Sequence, residues 1–172
     1  ALVADMEDSV PPAEKERARE TIARLLPKLA QRGQKVVVRV NSLATGLLQD
    51  DLAAVIGPHI YGVSVGKIES AWDVHQVSSI VGNLERRAGV APGATRLIPW
   101  LESARGVTYA ADICAASPRV VAGAFGAEDF TADMAVPRTE EGAEIAVPRG
   151  LVPLWPLDTS DAAEDRTRAH RD

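Results

Sequence analysis

Cysteine is all but missing from this 172-residue chain: Cys114 stands alone, in a helical apolar pattern. No disulfide framework and no cysteine-based zinc site can form within it, which suits a reducing compartment. Aromatic residues are sparse at 4%, and Lys and Arg are scattered under a net charge of −5. The basic stripe of a nucleic-acid surface is therefore absent. No apolar run reaches the length of a membrane span, and the opening ALVADMED lacks a signal peptide's basic start. A Gly-rich phosphate loop after the first apolar run is missing too, which counts against a dinucleotide-binding fold. What remains is an ordinary soluble composition, 46% apolar and 25% charged, in a length that suits one domain rather than two. The expectation is a cytoplasmic domain without nucleic-acid or membrane partners.

The pattern that is present alternates strand and helix. Leu2 to Ala4 is a short apolar run ending in Asp5-Met6-Glu7-Asp8, and Pro11-Pro12 then suits a helix start. Ala18, Ile22, Leu25 and Leu29 fall at helical spacing, with Pro27 expected to bend or shorten the last turns before Gly33 ends them. KVVVRV (35–40) is the clearest strand, β-branched and almost wholly apolar. Residues 42–46 read as a loop and 47–56 as a short helix. A third strand spans 60–65, and Ser70 is placed to cap a helix carrying Val74, Val77, Val81 and Leu84. Apolar runs at 97–101 and 120–125 supply strands four and five, with a helix near 107–116 between them. Continuous apolar strands in βαβαβαβαβ order read as a parallel sheet covered on both faces. Residues 1–150 form this domain, with 140–145 as a further short helix, and 151–172 read as an irregular or disordered tail.

Each apolar strand ends in polar residues on the same side: Asp5, Glu7 and Asp8; Arg39 and Asn41; Lys67 and Glu69; Glu102; Glu128 and Asp129. Any one of these is explained by the polarity of exposed loops. The set points to a site at the carboxyl ends of the strands, as in a (β/α) barrel. Glu102 and Asp129 end successive strands, and parallel pairing would bring both acids to one rim. Two carboxylates without a nearby histidine suit Mg2+ or Mn2+, which take oxygen ligands and keep several waters. The alternative is that Glu102 caps the helix starting near Ser103 and Asp129 pairs with an arginine. Arg39, inside an apolar strand, could clamp a substrate carboxylate or pair with Glu7 or Asp8. Lys67 could serve as a Schiff-base lysine, although a rim ion pair with Glu69 is the simpler expectation. His59, His75 and His170 lie away from the strand ends, and Trp72, Trp100 and Trp155 read as packing residues.

The segments DMEDSVPPAEKERAR, VVVRVN, GKIESAWDV, LIPWLESARGV and GAFGAEDFTADM match, in order and spacing, those of a known family. The chain resembles the citrate lyase beta subunit and its relatives in the HpcH/HpaI aldolase superfamily, over residues 1 to 149. The resemblance implies a TIM barrel that binds Mg2+ and cleaves or forms a carbon–carbon bond in a 3-hydroxyacyl-CoA thioester. It implies a substrate of citryl-, malyl- or citramalyl-CoA type, an oxo acid and an acyl-CoA as products, and a homo-oligomer. By motif it implies Glu102 and Asp129 as metal ligands, and Arg39 as the residue that meets the substrate's carboxylate end. The amides of Ala127, Glu128 and Asp129 would help hold that carboxylate. Glu7 and Asp8 would stand behind the metal's waters, with Lys67 and Glu69 beside them. The relatives that act on 4-hydroxy-2-oxo acids without CoA are the nearest alternative, and DMEDSVPPAEK favours the CoA side.

The chain also departs from the family pattern. A strand with a motif like RSLLFVPG is absent before the first acidic cluster, and Gly66 replaces the usual proline before Lys67. Past Arg149 the last strands and the lid bearing the family's general acid/base have no counterpart. A complete (β/α)8 barrel takes about 250 residues. The sequence therefore reads as an incomplete barrel, and a catalytically impaired or assembly role is the non-enzymatic alternative.

Overall fold

The computed structural model describes residues 2–152. Trp155, His170 and the expected tail beyond residue 152 lie outside the described residues. Five strands hydrogen-bond in chain order: β1 (Leu2–Asp5), β2 (Val36–Val40), β3 (Gly62–Val65), β4 (Arg96–Leu101) and β5 (Ala124–Phe125). All four pairings are parallel. Between them run α1 (Lys15–Gln31), α2 (Leu48–Val55), α3 (Ala71–Ala88), and the pair α4 (Ala104–Thr108) and α5 (Ala110–Ala115). After β5 come α6 (Ala127–Asp133) and α7 (Ala146–Leu151). Sequential parallel strands with helical crossovers are the arrangement of half a (β/α)8 barrel.

Alternation along the strands divides two faces. Val36, Val38, Val40, Val63, Val65, Leu97 and Leu101 belong to one core with Leu26, Leu52, Val74, Val77, Val81 and Ile113 from the helices. The intervening residues Arg39, Ser64, Ile98 and Trp100 therefore share the opposite face. Register fixes this layer: Asp5 pairs with Arg39, Arg39 with Ser64, and Ser64 with Ile98.

Several local expectations change on folding. In α1, Leu26 is buried while Leu25 is exposed, and Ala18, Ile22 and Leu29 pack against the core as expected. Consecutive residues point about 100° apart around the helix axis, so only one of the two can face the core squarely, and tertiary packing selected Leu26. Pro27 does not stop α1, which continues to Gln31, and Gly33 follows with φ of +71°. The helix expected at 107–116 is two helices meeting at Tyr109. Its start is earlier because Ser103 accepts a hydrogen bond from the Gly106 N–H at 3.0 Å and caps α4. The strand expected over 120–125 contracts to two residues plus one bridge, Val120 to Leu97. Trp100 pairs with Ala124, so β5 gains one residue relative to β4 between the two contacts, as a bulge does. In place of one helix over 140–145, a 3-10 turn at Ala143–Ile145 leads into α7.

Away from the strand carboxyl ends, Glu85 is fully buried and receives both Arg119 guanidinium nitrogens at 2.7 Å. It also accepts from the Gly93 and Thr95 amides at 3.0 and 2.8 Å. This carboxylate fastens α3 to the loop before β4 and to the turn before β5, and all its hydrogen-bonding capacity is used. No helix among the described residues is long and apolar enough to cross a membrane.

Candidate active site

The strand carboxyl ends deliver their acids to one rim. Glu102 follows β4 directly and is 8% exposed. Its Oε1 accepts a hydrogen bond from the Lys67 backbone N–H at 2.7 Å. Two glycines make room for the carboxylate: a Cβ on Gly66 would sit 2.8 Å from Oε1, and one on Gly126 2.5 Å from Oε2. Ser103, not Glu102, caps α4, so the capping alternative for Glu102 does not hold.

Asp129 sits in the first turn of α6, which starts two residues after β5. Its Oδ2 lies 3.7 Å from the Lys67 ammonium, the one ion pair Lys67 makes among the described residues. The expected pairing of Lys67 with Glu69 is thus replaced by one with Asp129. Lys67 has φ of +56°, a left-handed backbone that turns its N–H toward Glu102 while its side chain extends toward α6. Glu69 instead gives its backbone N–H to Asp73, which with Ser70 closes the capping box of α3. Lys67, Glu69, Glu102, Ser103, Asp129, Ala132 and Asp133 line a cleft of about 250 Å³. The sequence reading missed Asp133, which accepts the Ala104 N–H at 2.8 Å and ties α6 to the start of α4. Its position one helical turn after Asp129 was the available signal.

Burial raises the pKa of Glu102, the charge of Asp129 adds to that, and the Lys67 N–H opposes it. The Lys67 ammonium offsets only part of this repulsion, and a divalent cation would offset more. Among the described residues no group of three or more His, Cys, Asp or Glu forms a metal cage. The donor set fits a hard cation that takes two carboxylates and leaves its other positions to water and substrate.

The first and second strands supply the rest of the rim. Arg39 closes on both oxygens of Asp5, with Nε 2.8 Å from Oδ1 and Nη2 against Oδ2. Nη1 lies 3.2 Å from Glu7 and 3.5 Å from Asp8, and the guanidinium sits 5.5 Å from the Trp100 ring centroid. The pairing with Glu7 and Asp8 is as expected, while Asp5, its closest partner, was overlooked. Burial alone would raise the Asp5 pKa, but the bonds from Arg39 and Ser9 outweigh it and hold Asp5 well below the usual carboxylate range. Burial and the neighbouring Asp8 push Glu7 up to about 7 against the pull of Arg39. The Glu7 and Glu102 carboxylates both border Gly66, where a Cβ would lie 3.6 Å from the Glu7 Oε1. Lys15 fixes the acidic loop from below, donating to the Met6 and Glu7 carbonyls at 2.7 and 2.8 Å and to Asn41 at 2.8 Å.

Ala127, Glu128 and Asp129 form the first turn of α6, where the helix cannot itself satisfy its amides. The Glu128 side chain is exposed and points to Arg138 at 3.4 Å. His59 and His75 are exposed and line none of this.

The pattern of the HpcH/HpaI aldolase/citrate lyase family matches residues 1–165. Citrate lyase subunit beta of Leuconostoc mesenteroides subsp. cremoris is 32% identical over 152 residues, 88% of this chain and 50% of that protein. L-malyl-CoA/beta-methylmalyl-CoA lyase of Cereibacter sphaeroides is 34% identical over 144 residues, 80% of this chain and 44% of that protein. A solved citrate lyase beta subunit from M. tuberculosis, complexed with oxaloacetate and magnesium, superposes with a TM-score of 0.68 at 30% identity. That superposition covers 88% of this chain and 61% of the other. The chain thus spans about half the length of the curated relatives it matches.

Proposed function

The chain belongs to the HpcH/HpaI aldolase/citrate lyase family, and from that premise we propose that it carries the metal- and carboxylate-binding half of a CoA-thioester carbon–carbon lyase. In this reading Glu102 and Asp129 hold Mg2+, and the substrate is a 3-hydroxyacyl-CoA cleaved to an oxo acid and an acyl-CoA. Relatives that carry lyase names, and a solved neighbour complexed with magnesium and oxaloacetate, support it. The observation that carries it is the meeting in one cleft of Glu102, directly after β4, and Asp129, in the first turn of the helix that follows the neighbouring parallel strand β5. The described strands would then be five of a barrel's eight.

When bound, the metal would supply Lewis-acid polarisation of the substrate's oxygens. The chain's own groups do the positioning. Arg39, already braced by Asp5, would turn its Nη1 edge from Glu7 and Asp8 toward the oxo acid's carboxylate, and the α6 amides of Ala127 to Asp129 would donate to the same group. Glu7 and Asp8, held by Lys15 through the loop backbone, would accept hydrogen bonds from waters beside Glu102. Rigid placement of these donors is what lowers the entropic cost of reaction.

Calorimetric titration of Mg2+ into the chain and into Glu102→Gln and Asp129→Asn tests the reading. Uptake by the unaltered chain, weakened at least about tenfold in each variant, is expected, because each removes one of two protein ligands. Comparing malyl-CoA with a free 4-hydroxy-2-oxo acid then decides the substrate class. Absence of Mg2+ uptake by the unaltered chain overturns the proposal.

A further inference from the structure

We propose that Lys67 is a tethered counter-charge for the two acids, competing with a divalent cation for Asp129 and stabilising the pair when metal is absent. The inference rests on the reading of Glu102 and Asp129 as ligands and adds a regulator of their affinity. One residue contacts both acids through different atoms: its backbone N–H lies 2.7 Å from Glu102 Oε1, and its ammonium 3.7 Å from Asp129 Oδ2. The backbone that allows this is unusual for a lysine, with φ of +56°, and follows a glycine whose missing Cβ leaves space for Glu102.

The two contacts differ in kind. The N–H donor to Glu102 carries no net charge, so a bound cation would not repel it and the carboxylate would keep its orientation. The ammonium contact is electrostatic, and both partners are accessible, with side-chain exposures of 56% for Lys67 and 42% for Asp129. Such a contact is weak and held by a flexible stem, so it breaks at low cost. Glu102 is buried and repelled by Asp129, and a unit positive charge beside Asp129 relieves that repulsion. A doubly charged ion on the same acids would in turn repel the ammonium. Lys67 therefore lowers metal affinity and makes the metal exchangeable, whereas a merely structural lysine would leave affinity unchanged or, when lost, reduced.

Mg2+ calorimetry on the full chain, Lys67→Gln and Lys67→Arg, with melting curves in chelator and in saturating Mg2+, tests this. Lys67→Gln is expected to bind Mg2+ about threefold to tenfold more tightly, the range for one accessible unit charge acting on a divalent ion. Lys67→Arg, which keeps the charge, should stay within about twofold of the unaltered chain. In chelator Lys67→Gln should melt lower than the unaltered chain, and saturating Mg2+ should remove the difference. A folded Lys67→Gln that binds Mg2+ equally or more weakly, while Glu102→Gln abolishes uptake, overturns the role of Lys67 and leaves the two-carboxylate site standing. No uptake by either the unaltered chain or Lys67→Gln overturns both.

Discussion

Asp5 and Arg39 are paired at one register of neighbouring parallel strands, and the guanidinium meets both oxygens of the carboxylate. Side chains at paired positions of a parallel ladder point to the same face, so the strand pairing itself brings this acid to this base. The pair braces the arginine edge opposite the one facing Glu7 and Asp8, whose Nη1 contacts are longer. Arg39→Lys keeps a charge but not a planar fork, and is expected to cost about 1–2 kcal/mol in urea denaturation. On the proposed lyase reading, the same variant should raise KM for a carboxylate-bearing substrate more than it lowers kcat. Equal stability of Arg39→Lys and the unaltered chain would show that the fork contributes nothing.

Gly126 sets the space for Glu102. A Cβ there would meet Glu102 Oε2 at 2.5 Å and its Cβ at 2.7 Å, so Gly126→Ala must displace the acid. On the proposed reading of Glu102 as a metal ligand, Mg2+ affinity should fall by about tenfold in calorimetry, with a stability loss of about 1–3 kcal/mol from overpacking. Unchanged affinity would count against Glu102 as a metal ligand.

Glu85 and Arg119 contribute to the acid limb of stability. Burial by itself would raise the Glu85 pKa, but the two-pronged Arg119 contact and the Thr95 and Gly93 amides bring it from 4.5 to about 2. The unfolded chain therefore takes up this proton first as pH falls. The stability from Glu85 is complete above about pH 4.5 and is lost on acidification toward about pH 2. Arg119→Met strands a buried carboxylate and should cost about 3–5 kcal/mol at pH 7. Acidification then neutralises that carboxylate, so the gap from the unaltered chain should narrow between pH 7 and pH 3. Urea titrations at both pH values check the sign.

Two serines provide a matched contrast. Ser64 Oγ is buried without a hydrogen-bond partner among the described residues, whereas Ser103 Oγ accepts the Gly106 amide. Ser64→Ala should leave the melting temperature unchanged or raise it, since no bond is lost. Ser103→Ala should cost about 1 kcal/mol through loss of the α4 cap.

The order of strands and helices, the amphipathic face of α3 and the strand-end placement of Glu7, Arg39, Lys67, Glu102 and Asp129 were legible in the sequence. Apolar runs and helical spacing are local properties, and the polar residue ending each run marks the strand's carboxyl end wherever the chain goes. Partners were not legible. Asp5 reaches Arg39 only through strand register, Lys67 turns to Asp129 only because its backbone takes a left-handed conformation, and Asp133 meets the Ala104 amide only when α6 docks on α4. The one-residue bulge between Val120 and Ala124 also escaped the sequence, because pairing offsets exist only between strands. Composition and periodicity are read along the chain, while hydrogen bonds, charge pairs and cavities are relations between distant segments. Those relations are set by packing free energy, which no single segment contains.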